Sequence, residues 1–286
     1  MHYTSLDTFL AKAKPILAKG PIALLFIEDL VEAESTIRYH LVSGFRQVVI
    51  FAPPELELPV DLAGRVHRIR YSMAPPDALT RAVNAVIEKA PGQWLYYGFN
   101  AEYLFHPFCE SRNVAEMLAF HAEERRDAML TYVVDIYAGD LEQHPNAVAL
   151  NDAWLDKSGY YALGRKDGAE FKERQLDFFG GLRWRFEEHI APERRRIDRI
   201  ALFRAKPGLR LLPDHRFNDE EYNTYACPWH NNITAAIASF RAAKALKTNA
   251  GSTFDIQSFK WHNSVRFEWN SQQLMDLGLM EPGQWF

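Results

Sequence analysis

The sequence predicts an α/β protein with a mostly parallel central sheet and helices on both faces. Three observations lead there. Short apolar runs of strand length recur at residues 22–27, 47–52 and 94–99. Apolar stripes at helical spacing lie between them, and Gly and Pro mark the junctions. Alternation of this kind builds a parallel sheet with crossover helices, and such sheets bind ligands beyond the carboxyl ends of their strands.

Each element has its own warrant. Residues 22–27 are continuously apolar between Gly20-Pro21 and Glu28-Asp29, as a strand buried on both faces requires. Leu30, Ala33, Ile37 and Leu41 then repeat at helical spacing, and Gly44 stands where a helix end favours glycine. Residues 47–52 form a second strand, stopped by Pro53-Pro54, and residues 65–71 a third. Leu79, Ala82, Val83, Val86 and Ile87 make an apolar stripe on a helix ended by Pro91-Gly92, and residues 94–99 are the fourth strand. Further on, residues 113–126 read as a helix and 128–137 as a long strand. Residues 140–180 show few clear elements, and 183–204 are dense in arginine and glutamate. Residues 233–247 read as a helix, because Ile237, Phe240, Ala243 and Leu246 are spaced at threes. The tail, with Phe267, Trp269, Leu274, Leu277 and Trp285, is expected to pack back onto the sheet. A single domain, residues 1–286, is expected, with a nucleotide-binding half at 1–110. Residues 111–286 would form an acceptor half with a C-terminal packing segment.

Composition narrows the function. Of 286 residues, 48% are hydrophobic and 24% charged, as in a globular protein. A net charge of −4 gives no field for nucleic acid. Two cysteines, Cys109 and Cys227, are too few for a disulfide framework and point to a reducing cytoplasm, where both would be small buried hydrophobes. No run approaches the roughly 18–20 apolar residues of a membrane span, and the first 20 residues lack a signal-peptide pattern. A serine nucleophile elbow, a Walker loop, a dinucleotide fingerprint and a paired Cys or His zinc pattern are all missing from the sequence.

Several stretches could carry chemistry. Glu28 and Asp29 follow the first strand, where they would face a base or ribose or else complement a helix dipole. Asn100 and Glu102 follow the fourth strand with one residue between them, so both could offer hard oxygen ligands to Mn²⁺ or Mg²⁺. Asp135 closes an apolar strand, where partial burial suits a general base, or a capping acid. Gly180 and Gly181 precede Arg183 and Arg185. Paired glycines admit a phosphate close to the backbone and arginines bind it bidentately, or the segment is a tight turn before a basic face. His215 and His230 sit in loops and could contact metal or phosphate, and His230 precedes a helix start.

In order, these segments resemble the family 2-like bacterial glycosyltransferases. The family opens with a strand, an acidic pair, a helix ending Tyr-His-x-x-x-Gly and a second strand; Glu28-Asp29, Tyr39-His40, Gly44 and Val48-Val49-Ile50 are similar. Its Asp-x-Asp segment is matched by Asn100-Ala101-Glu102-Tyr103-Leu104, its Leu-Asp-Met-Tyr by Val134-Asp135-Ile136-Tyr137, and its Gly-Gly-x-Arg-x-Arg by residues 180–185. A late His-Phe-Lys is matched by Ser258-Phe259-Lys260. The resemblance implies a GT-A fold, a nucleotide-diphosphate sugar donor, a hydroxyl acceptor and a divalent metal. The chain departs from the pattern at Asn100, at Ser258, and at Phe51-Ala52-Pro53-Pro54, where the family carries an acid or amide after the second strand. A catalytically inactive relative, acting as a binding or scaffold module in cell-surface polysaccharide assembly, is the second reading.

Overall fold

A computed structural model describes residues 1–224 and 232–285. Its strands, in chain order, are β1 (His2–Tyr3), β2 (Ile22–Phe26), β3 (Gln47–Ala52), β4 (His67–Arg70), β5 (Trp94–Phe99), β6 (Glu102–Phe105), β7 (Ala128–Ala138), β8 (Ala153–Asp156), β9 (Tyr161–Asp167), β10 (Glu170–Phe179), β11 (Asp198–Arg204), β12 (Ala235–Ser239) and β13 (Ser264–Arg266). The chain folds as two compact units interleaved along the sequence. The first holds residues 1–101, 111–130 and 200–223, and the second 102–110, 131–199 and 224–286.

The first unit has the expected α/β character. Its strands run in the order β1-β4-β3-β2-β5, all parallel, with Leu24 beside Val49 on one side and Tyr97 on the other. The end of β11 then pairs antiparallel with β5, placing Leu202 beside Tyr96. Every residue of β2 is buried, which is why its sequence is continuously apolar rather than alternating. Phe26 stacks on Phe51 at 4.6 Å and tilts against Phe99 at 6.1 Å, so three neighbouring strands share one aromatic core.

Helices flank this sheet. Helix Ala33–Val42 links β2 to β3, and helix Ala78–Lys89 links β4 to β5, burying Ala78, Ala82, Val83, Val86 and Ile87. Gly44 takes φ +97° after the first of these, and a Cβ there would come within 2.7 Å of Asn113 Cβ. Asn113 in turn caps helix Val114–Glu123, accepting from Glu116 N at 3.1 Å while Glu116 accepts from the Asn113 N–H.

The second unit is mixed. β12 runs parallel to β7 and antiparallel to β6; β8 pairs antiparallel with β7, and β13 with β8. β9 and β10 form a separate hairpin, turned by Gly168 at φ +62°. The tail packs as expected: Phe267 meets Phe105 at 5.4 Å and Trp269 meets Tyr103 at 5.1 Å, both on β6.

Two expectations change here. Residues 233–247 are not one helix. They are strand β12 followed by helix Arg241–Thr248. All five residues of β12 are buried, and a small-residue strand covered on both faces has no alternation to separate it from a buried helix. Spacing at threes ran by coincidence from one element into the next. Residues 140–180 hold more order than expected, namely β8 and the β9–β10 hairpin.

His121, on helix Val114–Glu123, is wholly buried, its Nε2 donating to Ala128 O at 2.9 Å. Desolvation holds its pKa down to about 4. The unfolded chain therefore takes up the proton first, near pH ~6.5. This contribution is complete above that pH and is lost as pH falls toward about 4. We expect melting between pH 8 and pH 5 to fall less steeply in His121→Gln than in the parent, with the parent losing ~2 kcal/mol from this group over that interval. Equal slopes would remove His121 as the source.

Candidate functional site

In the first unit the carboxyl ends of β2 and β5 are tied together by one side chain. Asn100 is fully buried. Its Oδ1 accepts from Glu28 N at 2.9 Å, and its Nδ2 donates to Asp29 Oδ1 and to Val31 O, each at 2.8 Å. Its own N–H donates to Phe26 O at 3.1 Å. Next to it, Ala101 at φ +59° donates its N–H to Thr36 Oγ1 at 2.9 Å. Asn100 is thus a brace that shapes the loop after β2. The same carboxamide could not be replaced by a carboxylate without facing Asp29 and a carbonyl with no proton to give.

The brace leaves Glu28 exposed and Asp29 half-buried at the strand ends, where ligands of parallel sheets bind. Asp29 also accepts from Val31 N at 2.9 Å, so it orders the loop as well. His215 also belongs to this unit. It lies parallel to the Tyr97 ring at 5.9 Å, with Nδ1 3.0 Å from the Tyr97 hydroxyl.

In the second unit, cross-strand register places three polar residues in one row. Ser239 of β12 is paired with Asp135 of β7 and with Glu102 of β6, and all three are buried. Directly opposed residues point to the same face of a sheet, so this row is a polar stripe on an otherwise apolar surface. Glu102 accepts from Arg199 at 2.7 Å and from Ser239 Oγ at 3.2 Å, and Arg241 lies 3.8 Å away. At the other end, Asp135 accepts from Arg183 Nε at 3.2 Å and from Arg183 N at 3.3 Å. Desolvation pushes the Asp135 carboxyl up, and Arg183 opposes the shift.

A second carboxylate–arginine pair lies beside the first. Asp156 accepts from Arg185 Nη1 at 3.1 Å, from the Tyr137 hydroxyl at 2.6 Å and from Trp261 Nε1 at 2.8 Å. The Arg185 guanidinium also covers the Trp261 ring at 4.5 Å. Gly180 and Gly181 make this approach possible. At φ +154° and +62°, they bring the arginine segment against β7, where a Cβ on Gly181 would sit 3.2 Å from Asp135 Oδ2.

The expected site residues therefore fall into two groups. Glu28, Asp29, Asn100 and His215 belong to the first unit, and Glu102, Asp135, Gly180, Gly181, Arg183 and Arg185 to the second. His230 and Cys227 lie outside the described residues. Asn100 and Glu102, expected to hold a metal, each have protein partners, and among the described residues no group of three or more His, Cys, Asp and Glu side chains is placed to hold one. Arg183 and Arg185, expected to meet a diphosphate, point to Asp135 and Asp156. Sequence reasoning missed Asp156, Tyr137, Arg199 and Ser239. Only Tyr137, inside the Val-Asp-Ile-Tyr segment, carried a local signal.

The brace yields one prediction. Asn100→Asp should lower stability by ~3 kcal/mol at neutral pH, because two donors are lost and a buried charge faces another acid. The new carboxyl would have its folded pKa raised, so the penalty grows as pH rises and shrinks in acid. Melting of parent and variant at pH 5 and pH 8 checks this, and an undiminished gap at pH 5 would count against it. The buried Glu102–Arg199 pair yields another. Arg199→Met and Glu102→Gln should each cost ~3 kcal/mol by leaving a buried partner unmatched, and the double variant should recover much of the loss. Chemical denaturation of the four proteins measures the coupling, and additive losses would deny it.

No family model matches the chain, and no curated protein matches it. Among solved structures, the crystal structure of S. aureus TarS is similar at 11% identity and a TM-score of 0.30, over 40% of this chain and 22% of that one. No helix among the described residues is long and apolar enough to cross a membrane.

Proposed function

We propose that the chain is a glycosyltransferase that moves a sugar from a nucleotide-diphosphate donor to a hydroxyl acceptor. The observation that supports this most is the parallel first unit with Glu28 and Asp29 set at the carboxyl ends of its strands by Asn100. The nucleoside would be held there. The ordered resemblance of residues 22–50, 94–104, 134–137 and 180–185 to the family 2-like enzymes supports the same reading.

In this reading Asp135 is the general base, and its burial gives it a carboxyl poised above the ordinary range. Arg183 and Arg185 would meet the diphosphate by exchanging their carboxylate partners for phosphate oxygens. Mn²⁺ or Mg²⁺ would share in neutralising the diphosphate charge.

A specific observation favours the second reading, a non-catalytic binding module. Glu102, Asp135, Arg183 and Arg185 are all closed into ion pairs, and Asn100 brings no charge. The two are separated by melting the protein with UDP-, GDP- and dTDP-sugars, each with and without Mn²⁺. A transferase should show a shift of a few degrees with one nucleotide class and slow release of the nucleoside diphosphate. A shift without turnover would select the binding module. No shift under any condition would sink the transferase.

A further inference from the structure

Two cations of the second unit are each laid on an indole. The Arg185 guanidinium covers Trp261 at 4.5 Å, and the Lys260 ammonium covers Trp154 at 3.8 Å. The two rings are held alike. Trp261 Nε1 donates to Asp156 Oδ1 and Trp154 Nε1 donates to Asp152 Oδ1, both at 2.8 Å. The two assemblies are also neighbours. Trp154 and Asp156 stand two residues apart on β8 and so share one face of the strand. Tyr137, opposite Trp154 on β7, reaches Asp156 with its hydroxyl, as that shared face requires. On the segment covering them, Lys260 and Trp261 are consecutive.

The cations differ in what they leave behind when they turn to a ligand. Arg185 is paired with Asp156, but that carboxylate keeps the Tyr137 hydroxyl at 2.6 Å and the Trp261 indole when the arginine moves away. A broken ion pair is costly when it strands a bare buried charge, and Asp156 is not left bare. Asp135 has no such reserve, because among the described residues it is hydrogen-bonded only by Arg183. Lys260 leaves less still. It is exposed, and among the described residues its ammonium makes no ion pair and no hydrogen bond. Asp152 holds the edge of the Trp154 indole, whereas Lys260 lies over the face.

We propose that Lys260 and Arg185 together form an anion site for the oxygens of a phosphate or diphosphate group, with Arg185 exchanging its carboxylate before Arg183 does. A point charge beside a forked guanidinium suits a group with several charged oxygens. The indole faces hold both cations in place without neutralising them. The inference deepens the transferase reading and rests on it for the nucleoside part of the ligand.

The test is calorimetric titration of the full-chain parent, Lys260→Met and Lys260→Arg with inorganic pyrophosphate, and with UDP, GDP and dTDP. Melting of the free variants should match the parent, because Lys260 is exposed. Pyrophosphate should bind the parent, and Lys260→Met should bind it about 10-fold more weakly. Lys260→Arg keeps the charge and should stay within about 3-fold of the parent. Equal affinity in the parent and Lys260→Met, equal losses in both variants, or no pyrophosphate bound by the parent would each overturn the proposal. The nucleotides keep the two readings apart. Nucleoside diphosphate bound equally by the parent and Lys260→Met would reject the Lys260 site and leave the transferase. Pyrophosphate bound through Lys260 with no nucleotide bound would keep the anion site and reject the transferase.

Discussion

A polar side chain at the end of a buried strand must find all its hydrogen bonds inside the protein, and that constraint organises both units. Asn100 meets it in the first. It gives two hydrogens, to Asp29 and to the Val31 carbonyl, and takes one from the Glu28 amide. Through these bonds the loop after β2 acquires its shape, and Glu28 reaches solvent at the strand ends. An aspartate could accept but not donate, so the same loop could not form around it. The neutral residue at this place is therefore a consequence of the local hydrogen-bond pattern.

In the second unit the constraint is met by charge. Asp135 and Glu102 flank Ser239 in one cross-strand row, each with an arginine. Each arginine arrives from a different direction. Arg199 comes from β11, and Arg183 is delivered by the Gly180-Gly181 turn, whose positive φ values no side-chain-bearing residue adopts readily. A buried carboxylate–arginine pair adds little net stability but is costly to break. Such pairs fix which side chain stands where, and here Asp156, paired with Arg185, also holds Trp261 and Tyr137.

Much of the fold was legible. The second and fourth strands expected at 47–52 and 94–99 occupy those same residues, because a strand buried on both faces announces itself as a short apolar run with breakers at its ends. The stripe from Ala82 to Ile87 and the glycine after the first helix were equally plain. Legibility failed at β12, where small buried residues suit strand and helix alike, and at β9–β10, where half-exposed polar and aromatic residues blur the alternation.

The candidate site was legible as a set of residues and not as a set of contacts. Sequence by itself determined that acids, amides, glycines and arginines stand at element ends, because local periodicity shows where elements stop. Tertiary structure decided their partners. Asn100 meets Asp29 across 71 positions, Arg183 meets Asp135 across 48, and Arg199 meets Glu102 across 97. Such pairings depend on strand order and register, which no local pattern encodes.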